Sequence, residues 1–297
     1  MQIPFTKMNS QGNDFIVIDN TKLLYKFTND QIKSICSRTV IGCDQLLLLT
    51  IIDSNHINCM IFNQDGSSAE QCGNGMRAIM LFLYKTYDYA ACKVFVNDKQ
   101  YSIQYVNSEV IKVDMGIASF DEKIPALLPK GTSISIKNIF FDVKVTNEGS
   151  SLSFSYAYIT IGNPHCIVFS NNSFIHKKEI SSIINSIYEN GVNISFVLNL
   201  DNFINGSEKN LLLRVNERGS GWTKSCGSGA TATGAFILKL ISMPEYGGRN
   251  INQIFIEQEG GILEVSMTVV QNSVLNNSPQ LFLSGPTTLE YDGVWHD

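Results

Sequence analysis

The stretch NQDGSSAEQCGNGMR at residues 63–77 and the stretch ERGSGWTKSCGSGA at residues 217–230 share one core. It reads Cys72-Gly73-Asn74-Gly75 in the first and Cys226-Gly227-Ser228-Gly229 in the second, an offset of 154 residues. Two further matches lie upstream. Gly12-Asn13 precedes Phe15–Ile18 as Gly162-Asn163 precedes Cys166–Phe169, an offset of 150. Gly42-Cys43-Asp44-Gln45 has its counterpart in Gly191-Val192-Asn193-Ile194, an offset of 149. One such match could be chance, but three in the same order at nearly constant spacing indicate duplication. The fold class that follows is α+β, with two similar, pseudo-twofold related domains. Such a pair is expected to place equivalent elements across a cleft, a common location for ligands.

Hydrophobic periodicity around the two cores marks short strands alternating with helices. In the first half, strands are expected at residues 15–18, 46–52, 57–62, 93–96, 101–105 and 111–115. Helices are expected at 29–39, capped by Thr28 or Asn29, and at 76–87. The second half repeats this order, with strands at 156–161, 166–169, 194–198, 211–215, 254–256 and 263–269 and helices at 173–189 and 230–241. Residues 63–71 and 216–225 read as loops, and 119–137, with Pro125, Pro129 and Gly131, as the most linker-like segment. The expected domains are therefore residues 1–118 and 119–274, the first able to receive the C-terminal strand at 275–297.

The chain has 297 residues, 44% of them hydrophobic and 16% charged, with a net charge of −5. That supports sizeable cores and argues against a disordered protein. The mildly acidic balance argues against a general nucleic-acid binder. No signal-peptide pattern opens the chain, and the longest apolar stretches fall far short of a membrane span, so a cytoplasmic protein without membrane contact is expected. The cysteines are Cys36, Cys43, Cys59, Cys72, Cys92, Cys166 and Cys226. Their odd number and the lack of a C-x-x-C pair point to free thiols rather than a disulfide framework. No second Cys or His stands at metal-ligand spacing from either core, so no metal is expected.

Each core follows a strand and a loop and opens a helix. A thiol there meets backbone N–H groups and the positive end of the helix dipole. Such settings bring a cysteine pKa from about 8.5 to roughly 3.5–7.5. Two thiols in duplicated settings suit inversion at a carbon, where one side chain removes a proton and another supplies one. The glycines let backbone approach a bound carboxylate. Pyridoxal phosphate would need a Schiff-base lysine. The motif loops hold only Lys224, which reads as a surface residue, so no cofactor is expected.

From Lys7-Met8 through Ser284-Gly285-Pro286 the chain resembles the diaminopimelate epimerases. Residues 63–77 are the most specific part, and Gly162-Asn163-Pro164-His165-Cys166 and residues 217–230 are similar to the family's second-half motifs. The resemblance implies a curved sheet around a central helix in each half. It implies interconversion of LL- and meso-diaminopimelate, a step toward lysine and peptidoglycan precursors, by two thiols without a cofactor. Cys72 and Cys226 would be the catalytic pair. Asn13, Gln45, Asn63, Asn163 and Asn193 would bind substrate, and Gly73-Asn74 and Gly227-Ser228 would present backbone groups to the α-carboxylate. Glu217 and Arg218 would meet the substrate's ends, while His165 and Glu217 would tune the protonation of the cysteines. The expected partner is a small-molecule substrate, and the sequence leaves a homodimer open.

Each polar residue also has a plainer reading. Asn13 and Asn163 could fill turns, Gln45 and Asn193 could be loop residues, Glu217-Arg218 a solvated pair, and His165 a structural histidine. The chain departs from the family's usual pattern at Asn9-Ser10-Gln11, at Trp222, where an acidic residue is frequent, and at Thr231, where a cysteine is. Trp222 reads as a lid or as packing. The rival functions are a proline- or histidine-racemase-like enzyme and a non-catalytic thiol redox sensor.

Overall fold

Alternating apolar and polar residues set most strands, and unbroken apolar runs set the central ones. In chain order the elements are β1 (Gln2–Ser10), β2 (Asn13–Asp19), α1 (Asn29–Cys36), β3 (Gln45–Asp53), β4 (His56–Asn63), β5 (Ser68–Ala69), α2 (Gly73–Tyr87), β6 (Ala91–Val96), β7 (Lys99–Asn107) and β8 (Val110–Ile117). They continue with β9 (Ser119–Asp121), β10 (Thr132–Lys137), β11 (Phe140–Asn147), β12 (Ser150–Thr160), β13 (Pro164–Val168), α3 (Lys177–Ile187), β14 (Asn193–Val197), α4 (Leu200–Ile204), β15 (Asn210–Glu217) and β16 (Gly221–Thr223). The last are α5 (Gly227–Ser242), β17 (Gln253–Gln258), β18 (Gly261–Val269), β19 (Pro279–Gly285) and β20 (Thr288–His296). The computed structural model describes residues 2–69, 72–121, 128, 130–147, 150–170, 173–188, 190–269 and 279–296. It forms two units, residues 1–115 with 283–297 and residues 116–282. The chain passes from one to the other within β8 and returns within β19.

In the first unit the strands run in the order β20, β1, β2, β3, β4, β6, β7, β8. The β2–β3 and β4–β6 pairs are parallel and the others antiparallel. In the second unit β12, β13, β14, β15, β17 and β18 follow one another with the same alternation, parallel at β13–β14 and β15–β17. The duplication in sequence is thus a duplication of strand direction. Register also refines it. Phe15 stands beside Gln45, and His165 beside Asn193. Gln45, rather than Asp44, is therefore the counterpart of Asn193. The approach to β14 is one residue shorter, while Gly42 (φ +84°) and Gly191 (φ +70°) make the same left-handed turn.

Four leucines in succession, Leu46–Leu49, are buried in β3. A strand permits that only with both faces covered. Leu46 and Leu48 pack with Ile32 and Ile35 of α1, and Leu47 lies against Gly75 of α2. Residues 73–83 of α2 are buried all round, the mark of an enclosed helix. Its sheet bends to reach it from β1, β2, β6, β7 and β20. In the second unit α3 covers one face through Ile180 and Ile184. The other face wraps α5, which touches β12, β13, β14, β17 and β18. Gly234 is needed there, because a Cβ would stand 2.5 Å from Val265. Each fully buried Leu, Ile or Phe in these layers contributes about 1.5–3 kcal/mol. Among the described residues no helix is long and apolar enough to cross a membrane.

Several expectations shift. The helix at 29–39 ends at Cys36, with Thr28 capping it through a capping box with Gln31. The helix at 173–189 begins as a 3-10 turn over Ser173–His176 before α3, and Glu189 lies outside the described residues. The two motif helices begin at Gly73 and Gly227, three residues earlier than periodicity suggests. Glycine and asparagine are poor helix formers, and their first turn is held by the thiol caps described below. Of the expected loop at 216–225, residues 216–223 belong to the β15–β16 hairpin. The linker-like segment holds β9 and β10, although residues 122–127 and 129 lie outside the described residues. Strands β1 and β11 and helix α4 escaped the sequence reading, and the single C-terminal strand expected at 275–297 is two, β19 and β20.

Candidate active site

Helix geometry sets the two thiols. Cys72 caps α2 and Cys226 caps α5, each with extended backbone. The Gly75 N–H donates to Cys72 Sγ at 3.2 Å and the Gly229 N–H to Cys226 Sγ at 3.3 Å. A sulfur takes the place that a serine or aspartate oxygen usually takes at a helix start. The second glycine of each core is there for approach. A Cβ on Gly229 would lie 3.2 Å from Cys226 Sγ, and one on Gly75 3.4 Å from Cys72 Sγ.

In the first unit, register brings Asn13, Gln45 and Asn63 to one end of β2, β3 and β4. Gln45 and Asn63 are direct partners, and Gln45 donates to Asn63 Oδ1 at 3.0 Å. The amide of Asn13 is oriented from both sides. Its Nδ2 donates to Asp44 at 3.0 Å, and its Oδ1 accepts from Asn74 at 3.3 Å and from the Cys72 thiol at 3.9 Å. Asn74 Oδ1 in turn accepts from Arg77 at 2.8 Å.

Sequence reasoning missed Asp44 and Arg77 as members of this cluster. Asp44 and Asp14 exchange carboxylate and backbone contacts, the Asp44 N–H donating to Asp14 at 2.9 Å and the Asp14 N–H to Asp44 at 3.1 Å. Arg38 grips Asp14 with two N–H groups and Asp44 with one. Lys7 donates to Asp14 and to the Gly42 carbonyl. Burial alone would raise the Asp14 carboxyl, but the hydrogen bonds from Arg38 and Lys7 prevail and hold it at about 2. The visible signal was the interleaving of charge with the motif residues.

In the second unit, Asn193 fastens the hairpin. It accepts from the Arg218 N–H at 2.9 Å and donates to the Pro164 carbonyl at 3.2 Å. The Arg218 guanidinium donates to the Asn190 carbonyl at 3.3 Å. Glu217 accepts from Thr223. Trp222 packs against Phe174 and Phe196, with ring centroids 5.7 and 5.8 Å away, so it anchors the hairpin that carries Glu217 and Arg218. Asn163 donates to Ser228 Oγ at 3.4 Å, and Ser228 Oγ lies 3.6 Å from Cys226 Sγ. Burial, then the Glu217 charge, pushes the Cys226 thiol well above its ordinary value, against the pull of the Gly229 N–H and Ser228. Thr231 donates to the Gly227 carbonyl at 2.8 Å, and Lys224 is exposed.

His165 is fully buried, and burial, aided by the Arg218 charge, lowers its pKa to about 3. It is therefore neutral at pH 7. Its Nε2 faces Asn163 Oδ1 at 3.0 Å and donates to it, while Nδ1 has no hydrogen-bond partner among the described residues. His165 thus brings no charge near Cys226 and holds Asn163, whose Nδ2 reaches Ser228. The linkage has a definite sign. The unfolded chain takes up a proton near pH 6.5 and the folded chain near pH 3, so His165 weakens the fold progressively as pH falls through that window. His165→Asn is expected to flatten this part of the stability curve, as read by urea midpoints between pH 7 and 4. Parallel curves for the two proteins would refute the assignment.

The remaining cysteines, Cys36, Cys43, Cys59, Cys92 and Cys166, are free and buried in the cores, with Cys36 and Cys43 in contact at 3.3 Å between sulfurs. Among the described residues no group of three or more His, Cys, Asp or Glu side chains is arranged to hold a metal ion.

The sequence profile of the family described as diaminopimelate epimerase matches residues 5–120. Over the whole chain, the sequence is 31% identical to the diaminopimelate epimerase of Buchnera aphidicola subsp. Baizongia pistaciae, covering 96% of that protein. It is 30% identical to the diaminopimelate epimerase of Coxiella burnetii, with both chains covered completely. Among solved structures, a Bacillus anthracis phenazine biosynthesis protein of the PhzF family superposes over the full length of both chains with a TM-score of 0.66 at 15% identity.

Proposed function

The chain belongs to the diaminopimelate epimerase family, a family of isomerases, and on that premise we propose that it interconverts LL- and meso-diaminopimelate with Cys72 and Cys226 as its acid–base pair. The observation that carries this reading is the repeated thiol cap. Each cysteine caps the start of a buried helix, with a backbone N–H on its sulfur.

The chemistry follows in balanced steps. One cysteine, as thiolate, takes the α-proton, and the C–H electron pair passes into the α-carbon and its carboxylate. The other cysteine, as thiol, gives its proton to the opposite face of that carbon and is left as thiolate. The substrate changes only in configuration, and the two thiols exchange protonation states, so their titration belongs to the pair. The difficult species is the carbanion. N–H groups of a first helical turn have no carbonyl of their own helix to bond. Those of Gly73-Asn74 and Gly227-Ser228 are suited to receive the carboxylate on which the charge collects. Neither proton transfer requires a prosthetic group.

The polar residues divide the rest of the task. Asn13, Gln45, Asn63, Asn163 and Asn193 supply amides that donate and accept. Arg218 suits the carboxylate of the distal amino-acid end, with a planar fork for two oxygens, and Glu217 suits an ammonium. Glu217 has a second effect, since burial first and then its charge keep Cys226 protonated. In this reading Cys226 rests as the proton donor.

The test is turnover. The purified, reduced protein is incubated with LL-diaminopimelate without added cofactor, and the meso isomer is quantified by chiral separation. The proposal expects equilibration of the two isomers and no turnover of proline or histidine. Turnover of proline or histidine with none of diaminopimelate would refute it, and so would inactivity toward all three under reducing conditions.

A further inference from the structure

Gln258 ends β17, a residue only 5% exposed, and it meets Cys226 twice. The Cys226 N–H donates to Gln258 Oε1 at 2.9 Å, and Gln258 Nε2 donates to the Cys226 carbonyl at 3.3 Å. Both backbone groups of one residue are thus held by one side-chain amide. The same turn supplies a third tie, as the Gly260 N–H donates to the Lys224 carbonyl at 2.8 Å. A glutamine side chain matches this task because its amide offers an acceptor and a donor side by side.

The two bonds differ in what they replace. The Cys226 carbonyl already accepts the Ala230 N–H at 2.9 Å, the first bond of α5. The Cys226 N–H lies outside the helix, in a residue only 4% exposed. A buried N–H without a partner is costly, so the Gln258 acceptor is what allows Cys226 to stand here at all. Together the bonds hold the backbone of a cap residue at φ −126° and ψ 109°. From there the thiol reaches both the Gly229 N–H and Ser228. A rotation of the cap would swing the sulfur away from both.

We propose that Gln258 is a positioning residue for Cys226, clasping its backbone N–H and carbonyl so that the thiol points along the line on which it exchanges a proton with the substrate. The role rests on the reading of Cys226 as one of the acid–base pair. Gln258 touches no substrate atom in this account and acts only through Cys226.

The experiment uses Gln258→Leu and Gln258→Glu in the full-length protein. Leucine keeps the approximate volume and removes both bonds. It is expected to lower kcat at least tenfold with KM changed less than threefold. Glutamate offers a sharper readout. Its protonated carboxyl has an acceptor and a donor, as glutamine does, whereas the ionised form loses the donor and faces the Cys226 carbonyl. Gln258→Glu should therefore keep activity at low pH and lose it on a falling limb, absent from the native protein, as that carboxyl ionises. The rates of iodoacetamide alkylation at Cys226 and Cys72, followed by mass spectrometry of their peptides, need no substrate. Their ratio is expected to change at least fivefold in the leucine variant, whereas a general loosening would move both rates together. Should the leucine variant not fold, the glutamate profile decides. A native pH profile and a native alkylation ratio in Gln258→Glu would overturn the proposal. The alkylation ratio also separates the two hypotheses. A native protein that does not epimerise diaminopimelate refutes the proposed reaction, while the ratio still reports on the clasp.

Discussion

Cys72→Ala and Cys226→Ala are each expected to lower kcat/KM for diaminopimelate by at least about 10³-fold, within the range of acid–base roles of about 10²–10⁴-fold each. The two losses should not add in the double variant, because either thiol alone leaves the inversion incomplete. Alanine also removes a helix cap, which costs about 0.5–2 kcal/mol. A serine variant at each position controls for that, since its oxygen can accept the Gly75 or Gly229 N–H that the sulfur accepts now. The serine variants should keep their melting temperatures and still lose turnover, because a hydroxyl is a far weaker acid than a thiol. Exchange of the α-proton in deuterated water gives the direct readout. The native protein should place deuterium at the inverted carbon during turnover. Either alanine variant retaining activity within tenfold of native would sink the two-thiol mechanism.

The second large effect is on stability. Arg77 is fully buried, yet it forms no ion pair among the described residues. It donates to Asn74 Oδ1 at 2.8 Å and to Gln11 Oε1 and the Pro286 carbonyl at 3.2 Å each. Burial lowers its pKa to about 10, opposed by Cys72, so the guanidinium is still charged at neutral pH. Three segments distant in sequence therefore depend on one side chain: the β1–β2 turn, the start of α2 and the β19–β20 turn. Arg77→Met removes a donor from three acceptors at about 1–3 kcal/mol for each buried group left unsatisfied. An unfolding free energy lower by roughly 3 kcal/mol or more is expected in urea, partly offset because a buried charge no longer needs accommodation. Arg77→Lys should recover part of this, since a point charge cannot serve the fork of directions that a guanidinium does. A loss below about 1 kcal/mol for the methionine variant would contradict the role given to Arg77. The same variant loosens the chain of amides from Asn74 to Asn13, so its residual folded fraction should also bind substrate more weakly.

Much of the candidate site's local geometry was legible in the sequence, and the reason is its locality. The bond from Gly75 to Cys72 and that from Gly229 to Cys226 each span three residues. A motif of four residues therefore contains the whole device, and its repetition marks the duplication. The central leucines of β3 and the buried faces of α2 and α5 were legible for a similar reason, as pattern along one segment. Legibility failed where weak local preference met strong tertiary context. β1 and β20 pair with each other across almost the whole chain. The β15–β16 hairpin is rich in glycine and polar residues and owes its shape to register and to Trp222 on Phe174 and Phe196.

The polar partners divide in the same way. Asn13, Asn63 and Asn163 were named from motifs, but which atoms they face depends on strand register. Asp44 reaches Asn13 because β2 and β3 run parallel, and Asp44 is thereby drawn into the cluster although no short motif contains both. His165 could be named but not assigned a charge, because its neutrality follows from complete burial. Gln258 stands 32 residues from Cys226 and carries no motif of its own. The sequence by itself determined two copies of one α+β unit, each with a thiol at a helix start, because those features are written within a few residues of each other. Only the tertiary structure decided how those thiols are held and which groups shift their titration. Long-range hydrogen bonds and burial depend on how strands pair and helices pack, and no local run of residues specifies them.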